Sequence, residues 1–203
     1  MNGIDRLVER GRRLEFFTIG WNIIEAIVSI GAGLLAGSIA LIGFGVDSLI
    51  ESASGTVLLW RLRAGEKGEE REQRALKLVG WSLLALAAYV AVDAAKSLIE
   101  GEEPQRSIPG IIIAALSLVV MPLLAKAKRK VAAGLKSKAM AADSTQTDIC
   151  AYLSAILLGG LGLNALLGWW WADPIAGLMM VPIIAKEGLE ALRGEINTHG
   201  GDL

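Results

Sequence analysis

Residues 38–60 read SIALIGFGVDSLIESASGTVLLW, an apolar stretch long enough to cross a membrane that nevertheless contains two acids, Asp47 and Glu51. A carboxylate at the centre of a membrane-spanning helix costs roughly 2.5 to 3.5 kcal/mol, so acids in such a position indicate a functional site. Asp47 and Glu51 are four residues apart and therefore share one face of a helix. Two adjacent anions repel each other unless a cation lies between them, so the pair predicts an ion-binding or proton-binding role.

Five further apolar windows of similar length accompany this stretch. A bilayer core of about 30 Å is crossed by about 20 helical residues, and the hydrophobic content of 53% is high for a soluble domain. We therefore predict an all-α fold, a polytopic bundle of six transmembrane helices forming a single domain over residues 1–203. The predicted spans are 15–36, 38–60, 76–99, 108–128, 139–167 and 170–192.

Lysine and arginine are distributed unevenly between the two predicted sides. The N-terminus, residues 61–77, residues 126–138 and the C-terminal end hold 4, 6, 6 and 2 of them, whereas the opposite side holds only Lys96 and Arg106. By the positive-inside rule, both termini are expected in the cytoplasm. The basic run of residues 126–138 is interpreted as a solvated face that contacts anionic lipid. We expect a multi-pass protein of the cell (inner or plasma) membrane.

The first and fifth spans carry polar side chains at about the depth of Asp47 and Glu51. With a rise of about 1.5 Å per residue, these positions lie roughly 15 to 21 Å from the basic inner ends of their spans. No lysine or arginine is expected at this depth, and Asp148 is predicted to point elsewhere, to a neighbouring helix or a crevice. The two polar faces consist of Thr18, Asn22, Glu25 and Ser29 in the first span and Asp143, Gln146, Thr147 and Cys150 in the fifth.

Carboxylates, an amide oxygen and one thiol together suit a divalent cation, zinc before other metals. The metal is expected as transported substrate, with Asp143 on the cytoplasmic approach, and no resident cofactor is expected. Because a lone buried cysteine also serves as a small hydrophobe, a packing role stays open for Cys150, as it does for small polar side chains such as Thr18 and Ser29. The predicted metal-binding residues are Asp47, Glu51, Cys150, Gln146, Glu25 and Asp143.

Other classes of function find little support in the sequence. An enzyme is not expected, because the single histidine, His199, lies near the C-terminus and the single cysteine has no partner histidine. The basic residues follow membrane topology, so no nucleic-acid partner is expected. A permease for a small organic solute, with the acids binding a coupling ion, is the weakest of the transport hypotheses.

Residues 38–41 (SIAL) followed by Asp47-Ser48-x-x-Glu51 resemble the second-span signature of the cation diffusion facilitators. The fifth span of that family typically supplies a histidine and an aspartate four residues apart, with an Asp-Pro near the start of the sixth span. Gln146 and Cys150 occupy the first two places in this sequence, and Asp173-Pro174 the third. The resemblance implies a homodimeric exporter that moves divalent metal out of the cytoplasm, usually against protons, by alternating access.

This sequence departs from the family pattern in two respects. Gln146 and Cys150 lower the charge of the site. Only about ten residues follow the last predicted span, so the cytoplasmic metal-binding domain of many members is expected to be absent, and the resemblance is to a branch that lacks it. These departures keep an alternative open, a non-transporting metal-binding membrane protein that modulates another transporter.

Overall fold

The computed structural model describes residues 3–64 and 69–193, and within them it contains six α-helices and no strand. His199 and part of the basic 61–77 segment lie outside these residues. The all-helical, six-helix prediction is confirmed. The helices are α1 (Gly3–Ala36), α2 (Ile39–Ala64), α3 (Glu69–Glu100), α4 (Ile108–Leu135), α5 (Lys138–Leu167) and α6 (Ala172–Arg193).

The helices match the predicted spans closely at one end of the bundle and extend beyond them at the other. α1 ends at the predicted residue 36, but it begins at Gly3 instead of residue 15. α4 begins at the predicted residue 108 and continues to Leu135 instead of ending at 128. All the longer extensions lie on the side predicted to be cytoplasmic, because hydropathy detects the apolar part of a helix and not its polar continuation.

Glycine and serine residues define the helix ends. Gly37, Gly101 and Gly168 have φ angles of +67°, +68° and +68°, a left-handed conformation that glycine adopts at no steric cost. Ser107 and Ser137 precede α4 and α5, and their hydroxyls accept hydrogen bonds from the backbone N–H groups of Gly110 and Met140. These N-caps satisfy donors that the first helical turn leaves free.

Close antiparallel pairs build the bundle. A Cβ on Gly45 of α2 would lie 2.7 Å from Ile30 Cγ1 of α1, and a Cβ on Gly80 of α3 would lie 2.7 Å from the carbonyl oxygen of Gly188 in α6. Small residues at such positions let two helix backbones approach each other. α4 pairs with α5, and α1 also packs along α4.

Among the described residues, four helices are long and apolar enough to cross a membrane, and they contain the segments Ile4–Ala36, Gly80–Glu100, Ile108–Leu135 and Asp143–Leu167. α2 and α6 run alongside α1 and α3 over the same depth. Large apolar side chains such as Ile27, Leu35 and Val92 are exposed on the outer surface. An exposed apolar belt of this kind is costly in water and favourable in lipid.

The interior is divided into an apolar part and a polar part. Leu41, Phe44, Leu83, Leu157 and Met180 are completely or almost completely buried in the apolar core. Buried polar side chains instead occupy the facing surfaces of α1, α2, α4 and α5. α4 and α6 each contain an internal proline, Pro122 and Pro182. The polar part contains most of the residues singled out in the sequence.

Candidate metal centre

Asp47 and Glu51 lie on the buried face of α2, with exposed fractions of 4% and 2%. Oε1 of Glu51 accepts a hydrogen bond of 3.0 Å from the Thr147 hydroxyl of α5. Oε2 of Glu51 is buried and has no partner in hydrogen-bond geometry among the described residues, although the side chains of Asn22 and Cys150 lie close enough to interact with this carboxyl group. The two carboxylates interact electrostatically with each other, as their spacing of four residues predicts. This pair therefore places two carboxyl groups inside the bundle with acceptor capacity to spare.

The polar stripe of α1 faces the same interior. Oε1 of Glu25 accepts a 2.5 Å hydrogen bond from the Ser117 hydroxyl of α4. Its Oε2, both polar side-chain atoms of Asn22 and the hydroxyl of Ser29 have no hydrogen-bond partner within the described part of the chain, although all three side chains are fully buried. Buried polar atoms are normally paired, so unpaired ones indicate an unmet demand for a ligand or a water molecule.

Cys150 of α5 lies beside these acids. Its side chain is 1% exposed, and it interacts electrostatically with Glu25, Asp47 and Glu51. The structure thus brings four of the predicted residues, from α1, α2 and α5, to one buried region. Within the described ranges, no three His, Cys, Asp or Glu side chains converge closely enough to hold a metal ion together, so a shared ion requires these side chains to move inward.

The remaining two predicted residues lie apart from that region. Asp143 is buried near the cytoplasmic end of α5, where its Oδ2 accepts a 2.5 Å hydrogen bond from Lys128 Nζ. Gln146 is only partly buried, and its side chain interacts with Glu187 of α6. Asp148 forms an ion pair with Arg129 of the neighbouring helix α4, which agrees with its predicted position outside the group.

The expectation that no lysine or arginine reaches this depth is wrong. Lys128, interpreted as part of a solvated basic face, is fully buried and bonded to Asp143, Glu15 and Thr147. It occupies the inner face of α4, and a lysine stem is long enough to carry its ammonium group inward between α1 and α5. The spacing could have revealed it, because Lys128 continues the buried series of Ser117, Met121 and Leu124 at alternating steps of four and three.

Two acids of the polar interior were not predicted. Glu15 is fully buried and extends the α1 stripe by one step of three residues towards the cytoplasmic end. Glu187 of α6 interacts electrostatically with Asp47 and Glu51. It also lines a cavity of about 450 Å³ between α5 and α6, together with Thr145, Ile149, Tyr152, Pro182, Ile183, Lys186 and Glu190. The spacing of the polar residues along α1 could have identified Glu15. Glu187 offered no such signal, because it lies in a charged helix end that resembles a solvated terminus.

Asp173 of the Asp-Pro dipeptide has a structural contact. Its Oδ1 accepts a 2.5 Å hydrogen bond from the hydroxyl of Ser38, which begins the SIAL segment. Both residues are completely buried at the end of the bundle opposite Lys128. The SIAL segment and the Asp-Pro dipeptide, which are far apart in the sequence, are therefore in direct contact.

More than half of the chain matches a known family of membrane domains. The cation efflux transmembrane domain matches residues 77–197, which include α4, α5, α6 and most of α3. None of the curated proteins matches the chain. The matched domain, together with the four helices of the described segments that are long and apolar enough to span a bilayer, makes this an integral membrane protein. Because the match covers more than half of the 203 residues, the chain belongs to the cation efflux family, whose members transport metal cations.

Proposed function

We propose that this protein exports a divalent, zinc-like cation from the cytoplasm by proton-coupled alternating access. The observation that carries the proposal is the burial of Asp47 and Glu51 beside Cys150 and Glu25, with acceptor oxygens of Glu25 and Glu51 left unpaired among the described residues. An isolated buried carboxylate is unfavourable unless a cation or a proton balances it. A divalent ion balances two such charges at once.

The donor set favours zinc over harder cations. Carboxylate oxygens accept most divalent ions, but a thiolate selects borderline and soft metals. Asp47, Glu51 and Cys150 supply three donors, and Glu25 is available as the fourth. Zinc tolerates four ligands in a tetrahedral arrangement, which side chains from three helices can supply after a small inward movement.

The cavity between α5 and α6 is the proposed cytoplasmic approach. Glu187 lines it and interacts electrostatically with Asp47 and Glu51. A carboxylate at the mouth of a cleft raises the local concentration of cations. Asp143 was the acid expected on this path, but its partner is Lys128. Glu187 therefore takes the role of the first acid that an incoming metal meets.

Protons give the exporter a driving force. Metal ligands must be deprotonated, so a lower pH on the outer side protonates the carboxylates and releases the ion. The helices then return with protons bound instead of metal. In this proposal the protein acts as a homodimer in the cell membrane, as the family resemblance implies.

Zinc flux into proteoliposomes with an imposed pH gradient tests the proposal. We expect saturable, gradient-dependent flux in the wild type and its loss in Asp47→Asn. The matched control is Asp148→Asn, an acid-to-amide change of an acid that pairs with Arg129 away from the candidate centre, and it should retain flux. Unchanged flux in Asp47→Asn would contradict the proposal.

A second candidate is a metal-binding membrane protein that does not transport but modulates another transporter. Two observations favour it. Gln146 and Cys150 replace the charged pair of the family pattern, and the buried Lys128 supplies positive charge within electrostatic range of Glu51. Stoichiometric zinc binding without flux, under conditions where a known exporter transports, would select this function.

A further inference from the structure

The ammonium group of Lys128 is bound like a ligand within a site formed by two other helices. Its Nζ donates hydrogen bonds of 2.5 Å to Asp143 Oδ2, 3.3 Å to Glu15 Oε2 and 3.2 Å to the Thr147 hydroxyl. The Lys128 and Glu15 side chains are completely buried and that of Asp143 is 6% exposed. Three oxygens around one buried positive charge form a cation site that is occupied by a side chain of the protein.

This site has acceptor oxygens to spare. The Lys128 ammonium group lies between two carboxyl groups, those of Glu15 and Asp143. The second oxygen of Glu15, Oε1, is buried and has no hydrogen-bond partner among the residues described. Buried polar atoms are normally paired, so the site offers a further oxygen to a cation that takes more ligands than the three of an ammonium group.

A single hydroxyl connects this site to the candidate metal centre. Thr147 accepts a hydrogen bond from Lys128 and donates one of 3.0 Å to Glu51 Oε1. Lys128 also interacts electrostatically with Glu51. A divalent cation near Glu51 repels the ammonium group and competes for the same carboxylates, with twice its charge.

Lys128 lies close to the basic cytoplasmic end of α4. It is the last residue of the predicted span, next to the exposed Lys130 and the basic residues around it. A lysine side chain extends its charged group towards water when its stem remains packed. Withdrawal of Lys128 would expose the oxygens of Glu15, Asp143 and Thr147 to another cation.

We propose that Glu15, Asp143 and Thr147 form a second cation site, which the Lys128 ammonium group occupies without metal and a divalent cation occupies when Lys128 withdraws. A cation that has entered past Glu187 and reached Glu51 exchanges with Lys128 across the shared Thr147 hydroxyl. This inference rests on the proposed function, because it assumes that metal reaches Glu51.

Chemical labelling of the wild-type protein in lipid nanodiscs tests the exchange. An amine-reactive acylating reagent is applied with increasing zinc, the modification of each lysine is quantified by mass spectrometry, and zinc binding is measured on the same sample. We expect zinc to increase the labelling rate of Lys128 by about tenfold or more, equivalent to about 1.4 kcal/mol, with a midpoint at the zinc dissociation constant. Lys130, exposed on the same helix, is the internal control and should not change.

Two substitutions test the site from the opposite direction. Lys128→Met removes the resident cation, and we expect it to bind one more zinc equivalent than the wild type, or the same zinc about tenfold more tightly. The double variant Lys128→Met with Asp143→Asn should lose this gain. Lys130→Met is the matched control and should bind zinc as the wild type does.

The outcomes separate this inference from the proposed function. Zinc binding with unchanged Lys128 labelling overturns the exchange and leaves the metal centre at Asp47 and Glu51 intact. Absence of zinc binding and flux overturns both. If Lys128→Met does not fold, the wild-type labelling result alone decides.

Discussion

The hydroxyl of Ser38 donates a 2.5 Å hydrogen bond to Oδ1 of Asp173, across 135 positions of the chain. The Ser38 hydroxyl oxygen also accepts a hydrogen bond of 3.2 Å from the backbone N–H of Leu41, and so caps the first turn of α2. One serine therefore fixes the start of α2 to the start of α6. The bond closes the outer end of the bundle, opposite the Lys128 site.

Ser38→Ala should lower the free energy of unfolding by about 1.5 to 3 kcal/mol, because a buried carboxylate loses a charged hydrogen bond. Chemical denaturation in detergent micelles measures the change. Ser52→Ala is the control, since its buried hydroxyl donates only to the Ser48 carbonyl of its own helix. Equal losses in the two variants would show that the contact between α2 and α6 adds nothing to stability.

Asp143→Asn should destabilise the protein more than Glu15→Gln. Lys128 Nζ lies 2.5 Å from Asp143 but 3.3 Å from Glu15, and loss of the closer partner leaves the ammonium group poorly compensated, at a cost of about 3 to 5 kcal/mol. Glu15→Gln keeps the closer pair and leaves an amide oxygen that can still accept from Lys128, so its effect should be small. Denaturation of both variants under the same conditions gives the order, and the reverse order would contradict this interpretation.

Gly45→Ala should destabilise the contact between α1 and α2 by about 1 to 3 kcal/mol, the usual cost of overpacking. Its Cβ would lie 2.7 Å from Ile30 Cγ1 and 3.0 Å from the Ile30 backbone nitrogen, and the backbone cannot easily give way. Gly20→Ala is the matched control, because nothing lies within 4 Å of its Cβ position. That variant should be neutral or should gain up to about 1 kcal/mol from helix propensity. Thermal unfolding of the two variants tests the contrast.

Cys150→Ala should weaken zinc binding by about tenfold or more while affecting manganese binding much less, because manganese prefers oxygen ligands. Equilibrium dialysis of wild type and variant with each metal measures the difference. The same relative loss for both metals would indicate a packing role for Cys150, the alternative that its burial also permits.

Hydropathy and helical period predicted the parts of this protein that depend on local sequence. Six helices follow from six apolar windows, and Glu25, Asp47, Glu51 and Cys150 meet because equal distances along helices give equal depths. Glu15 is the first residue of the first predicted span and lies three residues before Thr18, so the spacing of the polar stripe could have identified it. The position of a charged group at the end of a long side chain is harder to predict from the sequence.

Lys128 illustrates that difficulty. In the sequence it is one of several basic residues near the end of a span, and only its helical spacing from Leu124 and Met121 distinguishes it from the exposed Lys130. Its burial depends on Glu15 and Asp143, which come from other helices. Glu187 is similar, since its role depends on α2 acids more than a hundred residues away. Pairing between distant segments decides both cases.

Lys128 and Glu187 each lie on a helix that contains an internal proline. A proline within a helix removes one backbone hydrogen bond, so the helix resists bending least at that point. Lys128 follows Pro122, and Glu187 follows Pro182, each on the segment nearer the cytoplasmic end. Lys128 and Glu187 thus lie on short helical segments beyond these prolines, while the outer segments are held by contacts such as the hydrogen bond from Ser38 to Asp173. A bend at Pro122 or Pro182 moves Lys128 or Glu187, and this movement changes the electric field at Asp47 and Glu51 without unpacking the rest of the bundle.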